Sequence, residues 1–315
     1  MNEMKKKILL SLIQIICATA GFAQSPPWKT DNGVNTLISA RTNLDVRWEA
    51  ANKFPRKVWM YELLPNFRSP KIVSNLMAMC SFEEKNKMKG DTNEIVFQSS
   101  DHFRTLFISF SSGEIDYQAR EAHYSPTNLA VNVPTTNQLP ELAKNVLNKL
   151  HINFSDITGR MGTNKMGFSE PMTIFYTDQD SITNIPYRTV YFRRLVDGMP
   201  ITRFYHLNFG EYGKISKIDI TWPNLKRVKS YRAITAKDVI NLLRKGNAVR
   251  GPVPTDVGDI DWPSIKSLTI KMAVPSYQMD GNRLYPFLNL DAIVDTGNVK
   301  VEIGMACPIF DETKP

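Results

Sequence analysis

The run from Arg188 to Pro223, RTVYFRRLVDGMPITRFYHLNFGEYGKISKIDITWP, constrains the fold more than any other stretch. Val190, Phe192, Arg194 and Val196 alternate with Tyr191, Arg193 and Leu195, and a period of two predicts a strand. Asp197-Gly198 then supplies a dipeptide suited to a type I′ turn, in which both central residues take positive φ. The chain returns from Ile201 to Phe209 with Tyr205, Leu207 and Phe209 on one face. It turns again at Gly210 to Gly213 and leaves through Ile218, Ile220 and Trp222. A three-stranded antiparallel meander is predicted, and its apolar face needs a second layer to cover it.

The N-terminus reads as an address. Lys5, Lys6 and Lys7 precede an apolar run from Ile8 to Ile16, and Gly21-Phe22-Ala23 has the small-x-small pattern of a cleavage site. A signal peptide over 1–23 and a mature chain from Gln24 follow, exported to the periplasm or the medium. Cys17 is a poor lipid-attachment site, because Ile16 stands where such signals carry a small residue. The apolar run falls short of the about 20 residues that span a bilayer, and no later segment reads as a transmembrane helix. A composition of 42% apolar and 10% aromatic residues predicts a globular chain. The charge of +8 is scattered, with short basic clusters at Lys85 to Lys89 and Lys226 to Lys229. Nucleic acid is therefore not an expected partner, whereas an acidic protein or an anionic envelope polymer is compatible with the charge.

Three helices are predicted. One opens at Ser69-Pro70, with Ser as cap and Pro in the first turn, and carries Ile72, Val73, Leu76, Met77, Met79 and Cys80. A second runs over Gln138 to Leu150 with a stripe of Leu139, Leu142, Ala143, Val146, Leu147 and Leu150. A third opens at Thr235-Ala236-Lys237-Asp238, a capping box with Asp in place of Glu, and stops at Gly246. Strands are predicted at Val58 to Leu64, Glu94 to Gln98, Arg104 to Phe110, Glu114 to Gln118 and Met172 to Asp178. Others follow at Ser267 to Val274, Arg283 to Ile293 and Asn298 to Met305. Thr36 to Lys57 has no clear pattern, and Ile152 to Phe168 reads as a loop. Helix, strand and a glycine-closed hairpin thus recur three times, around Gly113, Gly213 and Gly297. The expected fold class is α+β, in tandem units that each pack a helix on an antiparallel sheet. Their expected bounds are a leader over 24–57 and units over 58–134, 135–230 and 231–315.

The phrase YFRRLVDGMPITRFYHLNFGEYGKISKIDITWP, followed by AITAKDVINLLRKG, resembles a PepSY-type unit. It has a strand, a "dGipV"-like turn, a strand ending near glycine, "GkI" and a Thr-Ala-capped helix. The resemblance covers Met172 to Gly246, and more loosely Phe97 to Leu150 and Ser267 to Ala306. It implies cystatin-like, extracytoplasmic, non-catalytic domains that modulate proteases or regulate membrane sensors. The chain departs from those relatives in lacking a protease domain and a retained membrane anchor, which leaves the partner open.

Chemistry-bearing patterns are sparse. His102, His123, His151 and His206 form no H-E-x-x-H, and no G-x-S-x-G is present. Gly159, Gly162 and Gly167 follow a helix without a G-K-[ST] ending. Asp178 and Asp180 begin like a calcium loop, but Thr183 and Thr189 stand where Gly and Glu belong. Asp256, Asp259 and Asp261 cluster beside Trp262 as a weak cation candidate. No enzyme activity, metal or cofactor is expected. Cys80 and Cys307 could form a disulfide in an oxidising compartment or remain buried thiols. The candidate binding set is Arg193, Arg203, Tyr205 and Tyr212 on a sheet face, since Arg and Tyr dominate protein hot spots. The expected function is non-enzymatic binding or regulation of another envelope or secreted protein. A polymer-binding structural role and a hydrolase with a dispersed site are the alternatives.

Overall fold

A computed structural model describes residues 36–51, 54–65, 70–120, 124–159, 165–176, 181–250 and 260–310. The expected signal segment, the leader up to Asn35, the Ser69 cap, His123, Gly162, Asp178, Asp180, Asp256 and Asp259 lie outside the described residues. The chain is mostly β, 49% strand against 18% helical, with three α-helices among the described residues. That overturns the expected α+β class of tandem helix-on-sheet units. The three helices form close to their expected spans, but strands in large sheets dominate. Backbone contacts divide the chain into two compact units. One comprises Met1–Asn52, Thr235–Ala273 and Asn289–Pro308, the other Lys53–Ile234, Val274–Leu288 and Ile309–Pro315.

The larger unit is built on a ten-stranded sheet. Its spine runs β13 (Met199–Pro200), β12 (Arg188–Val196), β14 (Tyr205–Phe209), β15 (Ile215–Thr221), β7 (Glu114–Ala119), β6 (Arg104–Ser109), β5 (Glu94–Gln98) and β4 (Lys87–Gly90), while β8 (Ile157–Thr158) and β9 (Gly167–Ser169) add to β12. The decisive pairing is β15 with β7, antiparallel, which sets Ile220 opposite Ile115 and Ile218 opposite Tyr117. It fuses what the sequence suggested were two separate sheets. Two helices, α1 (Pro70–Cys80) and α2 (Leu139–Lys149), bury their stripes in one common core. Leu76 and Cys80 of α1, Ala143 and Leu147 of α2, Ile108, Ile115, Phe192, Leu207 and Ile220 all belong to it. Each aliphatic side chain buried there contributes on the order of 1.5–3 kcal/mol.

The predicted meander forms, with one interruption. Asp197 (φ 49) and Gly198 (φ 77) make the positive-φ turn. The return is broken, however: β13 is a two-residue stub, and the Ile201 N–H donates to the Arg194 carbonyl at 2.8 Å before pairing resumes at Tyr205. The expected loop at Ile152 to Phe168 contributes the short β8 and the start of β9. Two strands of this unit form a ribbon, β3 (Lys57–Leu64) antiparallel with β16 (Asn224–Arg232) and with a bulge between Arg227 and Lys229, and the other edge of β3 pairs at Tyr61 and Glu62 with Leu284 and Arg283. A second ribbon pairs β10 (Thr173–Tyr176) with β11 (Ser181–Asn184).

In the smaller unit, β1 (Thr36–Leu37), β17 (Val249–Arg250), β20 (Lys300–Pro308), β19 (Arg283–Asp295), β18 (Ser267–Asp280) and β2 (Asp45–Trp48) lie in that order. Only the Ser267–Ala273 and Asn289–Asp295 portions of β18 and β19 count with this unit. The β2–β18 pairing is parallel. Helix α3 (Ala236–Arg244) starts in the predicted capping box: the Asp238 N–H donates to Thr235 Oγ1, and the Thr235 N–H to Asp238 Oδ2 at 2.9 Å. It stops at Gly246, whose φ is 73. Val239 and Leu243 are its fully buried side chains.

Candidate functional site

The pleat decides where the predicted binding residues go. Tyr191 stands opposite His206 across β12 and β14, and Phe192 opposite Tyr205. Phe192 and Tyr205 therefore point into the core, where Tyr205 is 0% exposed and meets Phe192 edge-on at 5.8 Å. Burial pushes the Tyr205 hydroxyl up to about 12. Tyr205 is thus a core residue, a correction that its shared face with Leu207 and Phe209 already implied. Arg193 points the other way and lies 4.2 Å over the Phe204 ring, which Tyr191 meets edge-on at 5.6 Å. Arg203 pairs with Asp219 at 3.2 Å. Tyr212 is 64% exposed in the turn between β14 and β15. The four residues do not form one patch.

His206, on the outward face, sits opposite Asp219, which in turn sits opposite Asp116 on β7. Burial lowers the His206 pKa, with Asp219 opposing and Lys217 and Arg203 assisting. Burial and the neighbouring Asp219 raise that of Asp116. His102 and His151 lie in positive-φ turns, and the Asp261 carbonyl closes a short turn at Ser264. Among the described residues no group of His, Cys, Asp and Glu could hold a metal ion. Cys80 and Cys307 are free and buried rather than bridged. Burial pushes both thiols up to about 12.

The strongest polar construction lies elsewhere, on the β3–β16 ribbon. Its register sets Lys57 opposite Arg232, Trp59 opposite Ser230 and Tyr61 opposite Arg227. Trp59 has two cations against its ring, Lys57 Nζ at 4.5 Å and the Arg227 guanidinium at 5.0 Å. Arg227 is held in place. Its Nη2 donates to Asp197 Oδ1 at 2.8 Å and its Nε to the Tyr61 hydroxyl at 3.3 Å, while that hydroxyl donates to Asp197 Oδ2. Burial first, and then the Asp197 carboxylate, raise the Tyr61 pKa, so the hydroxyl stays a donor. Behind it, Tyr277 meets Tyr61 edge-on at 5.6 Å. Lys226, Lys229 and Arg232 are exposed along the same ribbon, and Lys229 lies 4.8 Å over Tyr231. The acids nearby are Asp197 and Glu62, the latter 3.8 Å from Lys226. The sequence shows Lys226 to Lys229 as a basic cluster. It hides the pairing with Trp59 and Tyr61, because those residues are far away in the chain.

A second construction is a cavity of about 410 Å³ walled by the end of α1, by β6 and β7, and by the turn between β14 and β15. Met79, Cys80, Tyr117 and Ile215 give it apolar walls, and Arg104, Arg120, Lys214 and Glu211 are its charged lining. No periodicity marks these residues, since α1, β6, β7 and the turn between β14 and β15 contribute them from distant parts of the chain.

The chain matches no protein-family model and no curated protein.

Proposed function

We propose that this protein is a non-enzymatic binding and regulatory protein that acts on an acidic partner protein of the cell envelope or the medium. The observation that carries the reading is the β3–β16 ribbon, where Trp59 lies between Lys57 and Arg227 and further cations flank it. Trp and Arg are the side chains that most often anchor protein interfaces. Arg227 is already fixed by Tyr61 and Asp197, so less side-chain freedom is lost when a partner docks. The surrounding lysines steer an acidic surface towards it. The resemblance of Met172 to Gly246 to PepSY-type regulatory units supports the same reading, as does the secretory pattern of the first 23 residues.

The test is site-specific photocrosslinking in the native cell, with benzoylphenylalanine in place of Val228, which is 48% exposed at the ribbon's bulge. One discrete protein adduct is expected, and Arg227→Glu with Lys229→Glu should abolish it. Absence of a protein adduct, or one indifferent to both charge reversals, would overturn the reading. Retention of envelope polysaccharide that is lost at moderate salt would replace the protein partner with a polymer.

A further inference from the structure

The cavity beside α1 shares no residue with the β3–β16 ribbon. Four charged side chains line it: Arg104, Arg120 and Lys214 against the single carboxylate of Glu211. Glu211 is already engaged, accepting the Val131 N–H on Oε1 at 2.9 Å. Neither Arg120 nor Lys214 has an acidic partner among the described residues, and the one acid that attracts Arg104, Asp101, lies outside the cavity lining. Arg104 is fixed by donating from Nη1 to the Ser81 and Cys80 carbonyls at 3.1 and 3.4 Å, at the C-terminal end of α1. Arg120 is steadied by the Phe103 ring at 5.1 Å. Lys214 is exposed at the rim. Apart from Ser81 and Ser216, the remaining side chains of the lining are apolar or aromatic, among them Tyr117, 3% exposed, and Cys80, 2%.

We propose that this cavity binds a carboxylate carrying a short apolar body. Held guanidinium groups match a carboxylate's planar geometry, and the excess of cations leaves a charge deficit that one anion fills. A volume of about 410 Å³ sits at the low end of the roughly 300–1,000 Å³ typical of small-molecule sites. It admits one short chain rather than a folded domain. Two sources present this chemistry, the C-terminal end of a polypeptide with apolar last residues and a free short acyl carboxylate.

The experiment is calorimetric titration of the whole mature chain with octanoate and, separately, with acetyl-Ala-Leu-Leu bearing a free carboxylate. Octanamide and the peptide amide are the neutral controls. At least one carboxylate should bind at least tenfold tighter than its amide, and the one that binds identifies the source. Lys214→Glu and Arg120→Glu should each weaken that binding at least tenfold, and Lys214→Arg should restore it. Both positions are exposed, and unchanged cooperative unfolding would show that the variants fold. No binding of either carboxylate at millimolar concentration, equal binding of the amides, or binding indifferent to both reversals would overturn the assignment. Arg104 is left intact because it caps α1.

Discussion

The pairing of β7 with β15 makes a sharp prediction about cooperativity. Ile115 is 0% exposed, faces Ile220 across that pairing and has Ile108 on its other side. Ile115→Ala deletes three carbons, which at about 0.8 kcal/mol per buried methylene loses roughly 2.4 kcal/mol. Strands on both sides restrict collapse, so a residual cavity raises the cost to about 3 kcal/mol. If α1, α2 and the ten strands share one core, that loss reaches the far half of the sheet as well. Native-state hydrogen exchange would show it. The slowest amides of β12, near Val190 and Phe192, should lose about a hundredfold in protection in Ile115→Ala, matching about 3 kcal/mol. Phe192→Ala, at about 3–5 kcal/mol, should reciprocally lower the protection of β6 and β7. Unchanged β12 protection in Ile115→Ala would mean that the two halves unfold independently, and the shared core would be refuted.

Three further outcomes follow from the same geometry. His206 has a folded-state pKa below its ordinary value, so the unfolded chain binds the extra proton first. Stability should then fall as pH drops from about 6.5 towards the folded-state value, and His206→Gln should flatten that part of a chemical-denaturation series; an unchanged slope would remove His206 as its source. The thiols of Cys80 and Cys307 should be silent to a thiol reagent at pH 8 in the native chain from Gln24, and both should react in denaturant. Rapid native reaction would contradict their burial, and silence in denaturant would reveal a bridge. Gly113 and Gly198 both have positive φ, but a Cβ at Gly113 meets the Trp222 and Pro223 backbone at 2.6 Å while one at Gly198 meets nothing within 4 Å. Gly198→Ala should cost about 1–2 kcal/mol and Gly113→Ala clearly more, and equal costs by urea unfolding would discount the clash.

What the sequence could and could not show divides by the range of the interaction. The stripe of α2, the Thr235–Asp238 box and the Asp197-Gly198 turn are local, and each is written within a few neighbouring residues. The fusion of two sheets is not. Ile115 and Tyr117 alternate in the same way whether β7 ends a sheet or sits mid-sheet, so three repeated patterns suggested three units. β16 escaped notice because its run, NLKRVKSYR, carries cations outward and breaks its alternation at a bulge. Tyr205 was legible as core from its face and was misplaced only when grouped with its arginine neighbours. The Trp59 cluster and the cavity assemble side chains from distant segments, and no local pattern encodes them.

The β7–β15 seam also sets a timetable. Strands β5, β6 and β7 can form hairpins as soon as they are made, because their contacts are short-range. Their last edge, with Ile115 and Tyr117 on its apolar face, must wait for β15, which is synthesised far downstream. Until then the nascent chain carries an unpaired strand edge, the feature that invites pairing with another molecule. A chaperone that shields extended segments is therefore most needed in the interval between the emergence of Ala119 and that of Thr221.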